Sequence, residues 1–293
     1  ENVLVAELLY NVVMFKQGIL ITKANGKVEP FDYRKLEKSL KKSGASLPLV
    51  KRVAEKVERE IHEGASTSLI YQRAHRLLSE TEKHSAARYS LRRALLGLGP
   101  TGFPFEKFVG QIFKAQGFNV LNDQMIKGGC AEHEVDVIAW NDKKLLMAEL
   151  KFHNQIGEKT DLKVALYVKA RFEDLSTQYF DYGRRRQLDE GWLITNTKFS
   201  QSAISYGLCA KVAMIGWSYP ARGNLQELIE STHLHPITCL TTLGISEKQN
   251  LLQNGVVLCQ EVKADSGPLK FIGLSDEKIK MVPINLENNI DKE

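Results

Sequence analysis

The chain of 293 residues is 43% hydrophobic and 26% charged, a balance that excludes a disordered protein and leaves room for two folded domains. Its net charge of +5 permits a nucleic-acid partner without requiring one. The four cysteines, Cys130, Cys209, Cys239 and Cys259, form no Cys-x-x-Cys pair, which argues against a zinc ribbon and favours the reducing cytoplasm.

The N-terminal extension, residues 1–18, is apolar but carries Glu7, Asn11 and Lys16. It lacks the basic start and the small-residue cleavage site of a signal peptide, so we interpret it as a short helix or an appended segment. No apolar run in the chain reaches the roughly 20 residues that span a bilayer. We therefore expect a cytoplasmic protein with no membrane partner.

A compact α-rich domain is predicted next, over residues 19–97. Two strands, Ile19–Lys23 and Lys27–Phe31, flank Asn25-Gly26, and this dipeptide between apolar runs predicts a hairpin. Asp32 is placed to cap the helix that follows. Four helices are predicted in all, over residues 33–43, 48–62, 68–78 and 83–96.

Three stretches of this domain read TKANGKVEPFDYRKLEKSL, GASTSLIYQRAHRLL and AARYSLRRAL. They resemble the ATP-cone, a nucleotide-binding regulatory domain. The resemblance implies that ATP or dATP binds as an effector and that four residues contact it: Lys23, Glu29, Lys35 and Thr67. Lysines and a helix N-terminus suit phosphate groups. Asn25 and Lys27 replace the family's usual Asp and Arg, and the alternative is a solvated helical domain without a ligand.

Residues 98–102 are predicted to be an interdomain linker, because Gly and Pro cluster there. Together with Gly97 they match the G-x-G-x-x-G pattern of dinucleotide sites. We reject that interpretation, since the pattern should follow a strand and here follows a predicted helix. The stretch Gly157–Thr160 likewise lacks the first glycine and the Gly-Lys step of a P-loop.

The rest of the chain predicts an α/β sandwich with a mixed sheet over residues 103–220, then a helical accessory segment and tail over residues 221–293. With the α-rich domain before it, the chain is of the α+β or α/β class. In chain order the elements are helix 105–116, strands 118–121, 134–140 and 145–152, helix 161–180, strand 191–195, helix 200–207 and strand 211–217. This order indicates a sheet covered by helices.

Two of these strands carry charged residues inside otherwise apolar sequence: Asp136 in one, Glu149 and Lys151 in the next. Burying such groups costs free energy unless each is paired or binds an ion. Glu149 and Lys151 share one face of their strand, about 7 Å apart. Mg²⁺ prefers one or two protein carboxylates, and a neighbouring lysine can offset charge on a phosphate. The alternative is a solvated hairpin edge with ordinary surface charges.

The pattern D-x(12)-E-x-K resembles the signature of the PD-(D/E)xK nuclease superfamily, and its surroundings are similar to Mrr-like restriction endonucleases. The similar stretches are GFPFEKFVGQIFKAQGFNV, HEVDVIAW, MAELKFH and LITNTKFSQSAISYG. The resemblance implies that Asp136, Glu149 and Lys151 are catalytic, that Asp136 and Glu149 bind Mg²⁺, and that Glu106 is an auxiliary acid. It also implies DNA as a partner and a homodimer, since cutting two strands needs two active sites.

Weaker candidates surround this pattern. Arg171 is a candidate for contact with a DNA phosphate, with a salt bridge to Asp174 or Asp161 as the alternative. Three arginines beside aromatic residues are candidates for contact with the DNA backbone, or form a solvated loop: Arg184, Arg185 and Arg186. Further polar candidates, for phosphate contact or for structure alone, are His133, His153 and Thr195–Thr197.

The sequence therefore predicts a Mg²⁺-dependent DNA endonuclease, of restriction or repair type, whose N-terminal domain senses ATP or dATP. The nucleotide is expected as an effector rather than as fuel, because no motor motif accompanies the ATP-cone. The alternative is a non-catalytic, nucleotide-responsive DNA-binding regulator that keeps the nuclease fold as a scaffold. A ribonucleotide reductase fragment is excluded, because the second half of the chain has no match to that enzyme's barrel.

Overall fold

A computed structural model defines the fold and describes residues 18–23, 26–155, 157–240 and 242–289. The predictions for residues 1–17 and for Asn25 in the first turn lie outside the described residues. The chain divides into two compact units, residues 1–90 and 91–293, with the boundary inside a helix. No helix in the described part is long and apolar enough to cross a membrane.

The first unit is a small hairpin followed by helices. Its elements are β1 (Leu20–Thr22), β2 (Val28–Pro30), α1 (Tyr33–Lys42), α2 (Leu47–Glu60), α3 (Thr67–Ser79) and the start of α4 (Lys83–Leu96). Asp32 caps α1 as predicted, because its carboxylate accepts from the N–H groups of Arg34 and Lys35 at 3.0 and 3.2 Å. The apolar faces of the helices meet in one core that includes Leu40, Val50, Val57 and Leu78. The α-rich architecture is therefore confirmed.

The second unit is built on a mixed five-stranded sheet of order β11-β9-β5-β4-β3. Its elements up to residue 215 are α5 (Phe103–Ala115), β3 (Asn119–Lys127), β4 (Glu132–Trp140), β5 (Leu145–Lys151), β6 (Lys159–Thr160), α6 (Leu162–Ser176), β7 (Phe180–Tyr182), β8 (Arg184–Arg186), β9 (Glu190–Thr195), β10 (Lys198–Phe199), α7 (Gln201–Ala210) and β11 (Ala213–Ile215). Strands β3, β4 and β5 pair antiparallel, whereas β9 and β11 run parallel to β5. The predicted mixed sheet and the order of its main elements are confirmed.

Helices cover both faces of this sheet. On one face, α5 buries Phe105, Phe108 and Ile112 in the same cluster as Val137 and Leu146 of the sheet. On the other face, α6 and α7 contribute to a separate cluster, whose members from the sheet include Ile138, Met147 and Leu193. Alternate residues of β5 thus enter opposite cores, which explains why this strand is apolar almost throughout.

Two elements differ from the sequence prediction. The helix predicted over residues 161–180 ends at Ser176, and the chain then forms a β7–β8 hairpin with Gly183 at φ +72° in its turn. Glycine alone adopts this backbone conformation at no steric cost, so Gly183 sets the turn. The strand predicted over residues 118–121 continues to Lys127, because exposed and partly buried residues alternate along its whole length.

The C-terminal segment packs into the core beneath α5. Its elements are α8 (Leu225–Thr232), a 3₁₀ turn (Ile237–Cys239), α9 (Ile245–Gln253), α10 (Cys259–Ala264), α11 (Gly267–Phe271) and α12 (Asp276–Asn289). Leu225, Ile229 and Leu251 belong to the same cluster as Phe108. Residues 221–289 thus hold more helices than the two predicted, and the accessory segment with its boundary at residue 220 stays a prediction.

The segment predicted as a linker, residues 98–102, also lies within the second unit. Leu98 is fully buried in the core of that unit. The side-chain amide of Asn154 donates to the carbonyl of Pro100 at 3.1 Å. Gly99 lies so close to Asn154 and Phe152 that a β-carbon there would be 2.9 Å from the Phe152 ring. The segment is therefore fastened to the loop that follows β5.

Candidate active site

The β4–β5 ladder brings two predicted acids together. Val137 pairs with Ala148, and the next residues outward along the two strands are Asp136 and Glu149. The Asp136 carboxylate reaches across to β5, where its Oδ2 accepts from the backbone N–H of Leu150 at 2.6 Å. Lys151 lies two residues beyond Glu149, on the same face, and is exposed. The three residues of the predicted signature therefore converge at one end of β5.

A break in the neighbouring strand accommodates Asp136. Asp123 of β3 lies opposite it, with φ +55°, and the β3–β4 ladder is interrupted at this one position. As a result Val135 and Val137, on either side of Asp136, pack into different cores instead of sharing one face. The left-handed backbone of a non-glycine residue is uncommon, and such positions occur often at functional sites.

Helix α5 supplies a third acid, Glu106. Its carbonyl accepts from the side-chain amide of Asn122 at 2.9 Å, and the same amide lies 3.3 Å from the carbonyl of Asp136. Asn122 thus ties the helix to β4 at the level of the acids. Gly110 allows this contact, because a β-carbon there would lie 2.7 Å from the Asn122 Oδ1 atom.

All three acids have raised pKa values, and burial is the largest cause in each. Burial, opposed by the Leu150 N–H and Arg171, raises the pKa of Asp136 to about 6. Burial and then the Asp136 carboxylate raise the pKa of Glu149 to about 7, and the same two causes raise the pKa of Glu106 to about 7. A cation at this cluster would stabilise the ionised carboxylates, and displaced pKa values of this kind are typical of active sites.

Arg171 of α6 contacts one of these acids, Glu149. Its Nη1 atom forms an ion pair with Glu149 Oε2 and donates to the carbonyl of Glu134 at 2.7 Å, and Nη2 donates to the Tyr167 hydroxyl. Only 9% of Arg171 is exposed, so little of its guanidinium is open to a DNA backbone. The salt bridge considered from the sequence, to Asp174 or Asp161, is wrong.

Those two aspartates have other partners. Asp174 accepts from His133 Nε2 at 2.7 Å and from the Cys130 N–H at 2.7 Å, and its pKa is lowered to about 2, chiefly by His133. Asp161 caps α6 by accepting from the Val164 N–H at 3.2 Å. Both therefore hold the local backbone, and His133 has a structural role here.

The polar end of β9 holds the backbone of β5. Thr195 Oγ1 donates to the carbonyl of Lys151 at 2.7 Å, so the catalytic candidate has an anchored main chain. Asn196 forms two 2.8 Å hydrogen bonds with the backbone of His153, one as acceptor and one as donor. The imidazole of His153 contacts Thr160 Oγ1 at 2.9 Å. These residues position Lys151 through its backbone.

The donor set at the acids fits a hard divalent cation in kind and in number. Within the described residues, no three His, Cys, Asp or Glu side chains form a group able to hold a metal ion. Mg²⁺ needs fewer protein ligands, because it keeps several waters and is bound through one or two carboxylates plus phosphate oxygens. Asp136 and Glu149 supply two carboxylates whose pKa values are raised chiefly by burial.

The three hairpin arginines lie in a separate two-stranded sheet, β7–β8. Tyr182 of the hairpin packs against Trp140 with ring centroids 5.0 Å apart, and Trp140 is four residues along β4 from Asp136, about 13 Å by strand geometry. Arg184 and Arg185 are exposed, with Arg185 over the Tyr179 ring at 5.4 Å, whereas Arg186 is 9% exposed. Contact between these arginines and DNA stays a prediction.

In the first unit, Glu29 joins the two predicted lysines. Its carboxylate lies 2.6 Å from Lys23 Nζ and 3.6 Å from Lys35 Nζ, and a hydrogen bond from Lys23 is the main cause that lowers its pKa. Thr22 forms a parallel bridge with Ser66. The next residues along the two segments, Lys23 and Thr67, are therefore close in the backbone, and Thr67 is the first residue of α3. An open depression lined by residues 29–35 adjoins the lysines.

Sequence reasoning did not assign Tyr167, Asn122 or Asp123 to the site around the acids. Tyr167 lies one helical turn before Arg171, a spacing that also occurs on any exposed helix face. Asn122 and Asp123 lie in the part of β3 beyond the predicted strand end. The signal that could have found them is the run of polar residues facing the D…ExK strands, read together with the next helix.

Two known protein families match parts of the chain, one near each end. Residues 19–96 match the ATP-cone domain, which confirms the predicted domain and supports a nucleotide partner. Residues 235–287 match the family described as AF1548-like, C-terminal.

Relatives cover much of the chain. A protein of Archaeoglobus fulgidus described as uncharacterized is 36% identical over 175 residues, which are 59% of this chain and 95% of that protein. The crystal structure described as protein of unknown function AF1548 is 33% identical, covers 65% of this chain and 98% of its own, and has a TM-score of 0.54. The MspJI restriction endonuclease bound to a 27-mer oligonucleotide is 14% identical over 63% of this chain and 43% of that one, with a TM-score of 0.31, too low to establish a shared fold.

Proposed function

The chain belongs to the family of AF1548, and we propose that it is a Mg²⁺-dependent, Mrr-like DNA endonuclease of the PD-(D/E)xK type, regulated by ATP or dATP through its ATP-cone. The observation that supports this most is the convergence of Asp136, Glu149 and Lys151 at the end of β5. Two neighbouring carboxylates with raised pKa values and a lysine on the same face suit phosphodiester hydrolysis.

In this proposal Asp136 and Glu149 hold the ion, and Glu106 is a third acid, whose pKa is raised by burial and then by the Asp136 carboxylate. When bound, Mg²⁺ polarises the phosphate and lowers the pKa of a coordinated water. Lys151 supplies positive charge where negative charge builds on the phosphate, and its exposed side chain leaves it open to substrate. The hydrogen bond from Thr195 to the Lys151 carbonyl fixes the main chain from which that side chain extends.

The nucleotide acts as an effector in the proposed mechanism. Lys23 and Lys35 already share Glu29, an anion with the charge character of a phosphate. A bound triphosphate would meet both lysines and the start of α3 at Thr67. Regulation then requires that the nucleotide binds two states of the protein with different affinities.

A second candidate function is a DNA-binding regulator that keeps the fold without cleavage. The ion pair between Arg171 and Glu149 favours it, because it neutralises one acid without a metal ion. The two functions share a DNA partner and a nucleotide effector, so they differ only in whether DNA is cut.

The experiment that tests the proposal is plasmid nicking by the full chain, with Mg²⁺ or with EDTA. We expect Mg²⁺-dependent nicking that falls by about 100-fold or more in Lys151→Ala, because a charge aimed at the transition state is removed. Lys143→Ala, in the exposed β4–β5 turn, is the matched control and should cut at the wild-type rate. A gel-shift assay in EDTA should show equal DNA binding by all three proteins.

Two outcomes would contradict the nuclease assignment. Mg²⁺-dependent cutting by Lys151→Ala at the wild-type rate would remove Lys151 from the mechanism. DNA binding without any cleavage by the wild-type chain would favour the regulator.

A further inference from the structure

Arg171 occupies a fixed place beside the acids. It lies one helical turn after Tyr167 on α6, and its guanidinium carbon is 4.7 Å from the centre of the Tyr167 ring. Its Nη1 atom donates to the main-chain carbonyl of Glu134 at 2.7 Å, and Nη2 donates to the Tyr167 hydroxyl. These contacts hold the guanidinium in place independently of Glu149.

Arg171 engages only one oxygen of Glu149. The ion pair is made with Oε2, and the Leu150 N–H likewise occupies only Oδ2 of Asp136. Within the described part of the chain, Oε1 of Glu149 and Oδ1 of Asp136 accept no hydrogen bond. Each acid is therefore restrained through one oxygen and keeps the other for a ligand.

A fixed donor restrains a partly buried carboxylate such as Glu149. The donor limits the rotation of the carboxylate, and so sets the direction in which its second oxygen points. The structure carries no comparable donor to Glu106, which lies on the opposite face of the sheet from α6 among the described elements. Glu149 therefore differs from Glu106 in having a fixed cationic partner, Arg171.

We infer that Arg171 is a positioning residue, which orients Glu149 through Oε2 and leaves Oε1, with Oδ1 of Asp136, to bind the divalent cation. This inference rests on the proposed function. It differs from the DNA-phosphate role considered for Arg171. It also predicts the opposite effect on metal affinity from that expected if the guanidinium competed with the metal ion. An orienting arginine strengthens metal binding, whereas a competing arginine weakens it.

Calorimetric titration of the full chain with Mg²⁺ or Mn²⁺, in the absence of DNA, distinguishes these roles. We expect Arg171→Met to bind the ion about 10–100-fold more weakly than wild type, as is typical when the partner of a ligating group is removed. Arg171→Lys should restore part of the affinity, because it restores a charge near Oε2. The matched control is Lys169→Met, which removes a neighbouring helix charge that pairs with Glu173 at 3.2 Å, and it should bind like wild type.

Arg171→Met leaves Glu149 buried without its partner and can fail to fold, so Tyr167→Phe gives a second test. It removes the hydroxyl contact and keeps the ion pair, and we expect weaker metal binding with an unchanged fold by circular dichroism. Equal or tighter metal binding by the Arg171 and Tyr167 variants, with binding abolished by Asp136→Asn, would overturn this inference alone. Absence of metal binding by the wild-type chain would overturn the proposed function as well.

Discussion

At the scale of single residues, the site combines groups that oppose folding with groups that restrain them. Asp136 and Glu149 lie side by side at the end of a strand pair and have raised pKa values, which means that their ionised forms are destabilised in the folded state. The Leu150 N–H and Arg171 each offset part of this cost. Such a balance is expected where a cation is to be bound, because the bound cation recovers the rest.

The raised pKa of Asp136 gives a pH-dependent prediction. Between its ordinary pKa of 3.8 and about 6, the folded state binds more protons than the unfolded state, so stability falls as pH rises through this window. Asp136→Asn keeps an oxygen for the Leu150 N–H and removes the charge. Without metal ions it should therefore be more stable than wild type above pH 6, by on the order of 1–3 kcal/mol, with the difference vanishing near pH 4.

Denaturant unfolding at several pH values measures this difference. Asp142→Asn, in the exposed β4–β5 turn, removes a carboxylate of the same kind. Its stability relative to wild type should not change with pH between 4 and 6. A variant Asp136→Asn that is less stable than wild type at every pH would contradict the account.

At the scale of elements, the position of α6 over the sheet depends on Gly191 of β9. A β-carbon at Gly191 would lie 2.5 Å from Phe172 Cγ and 2.8 Å from Phe172 Cβ, so α6 would have to move away from β9. Phe172 follows Arg171, and the same displacement would pull the guanidinium from Glu149. Helix packing at one glycine is thus coupled to the geometry of the acids.

Gly191→Ala should therefore destabilise the fold by about 1–3 kcal/mol, the usual cost of overpacking, and weaken metal binding. The measurement is thermal unfolding with and without Mg²⁺. Gly157→Ala is the control, because a β-carbon there meets nothing within 4 Å, and it should leave both properties unchanged. Wild-type stability of Gly191→Ala would show that α6 tolerates displacement.

The strands of the site were predictable from sequence, whereas the contact between α6 and β5 was not. Apolar runs and turn residues predicted the strands that bear Asp136 and Glu149, because the pleat fixes which residues share a face. The contact of Arg171 with Glu149 was not predicted, because the two residues are 22 positions apart in sequence and their contact depends on how α6 packs. The β7–β8 hairpin was missed because its aromatic residues also suit the end of an apolar helix.

At the scale of the whole molecule, the chain combines an ATP-cone over residues 19–96 with a mixed α/β unit. The segment that follows α4 is fastened to the loop after Lys151 through Pro100 and Asn154.

The nucleotide site gives a prediction of its own. Lys35→Ala should weaken ATP binding by about 10–100-fold, the loss expected for a charge-assisted hydrogen bond of about 1.5–3 kcal/mol. Lys38→Ala, an exposed lysine on the same helix, should bind ATP like wild type. Calorimetry with ATP and dATP measures both, and equal affinities of the two variants would remove Lys35 from the site.

We propose that Asp136 and Glu149 bind a divalent ion at which DNA is cut. Single-turnover cleavage of an end-labelled duplex, titrated with Mg²⁺ at fixed ionic strength, tests it most directly for wild type and Asp136→Asn. We expect wild-type cleavage to rise with Mg²⁺ to saturation, and we expect Asp136→Asn to bind the duplex equally well and to cut it at no Mg²⁺ concentration. Cleavage by wild type in EDTA, or by Asp136→Asn at the wild-type rate, would contradict it.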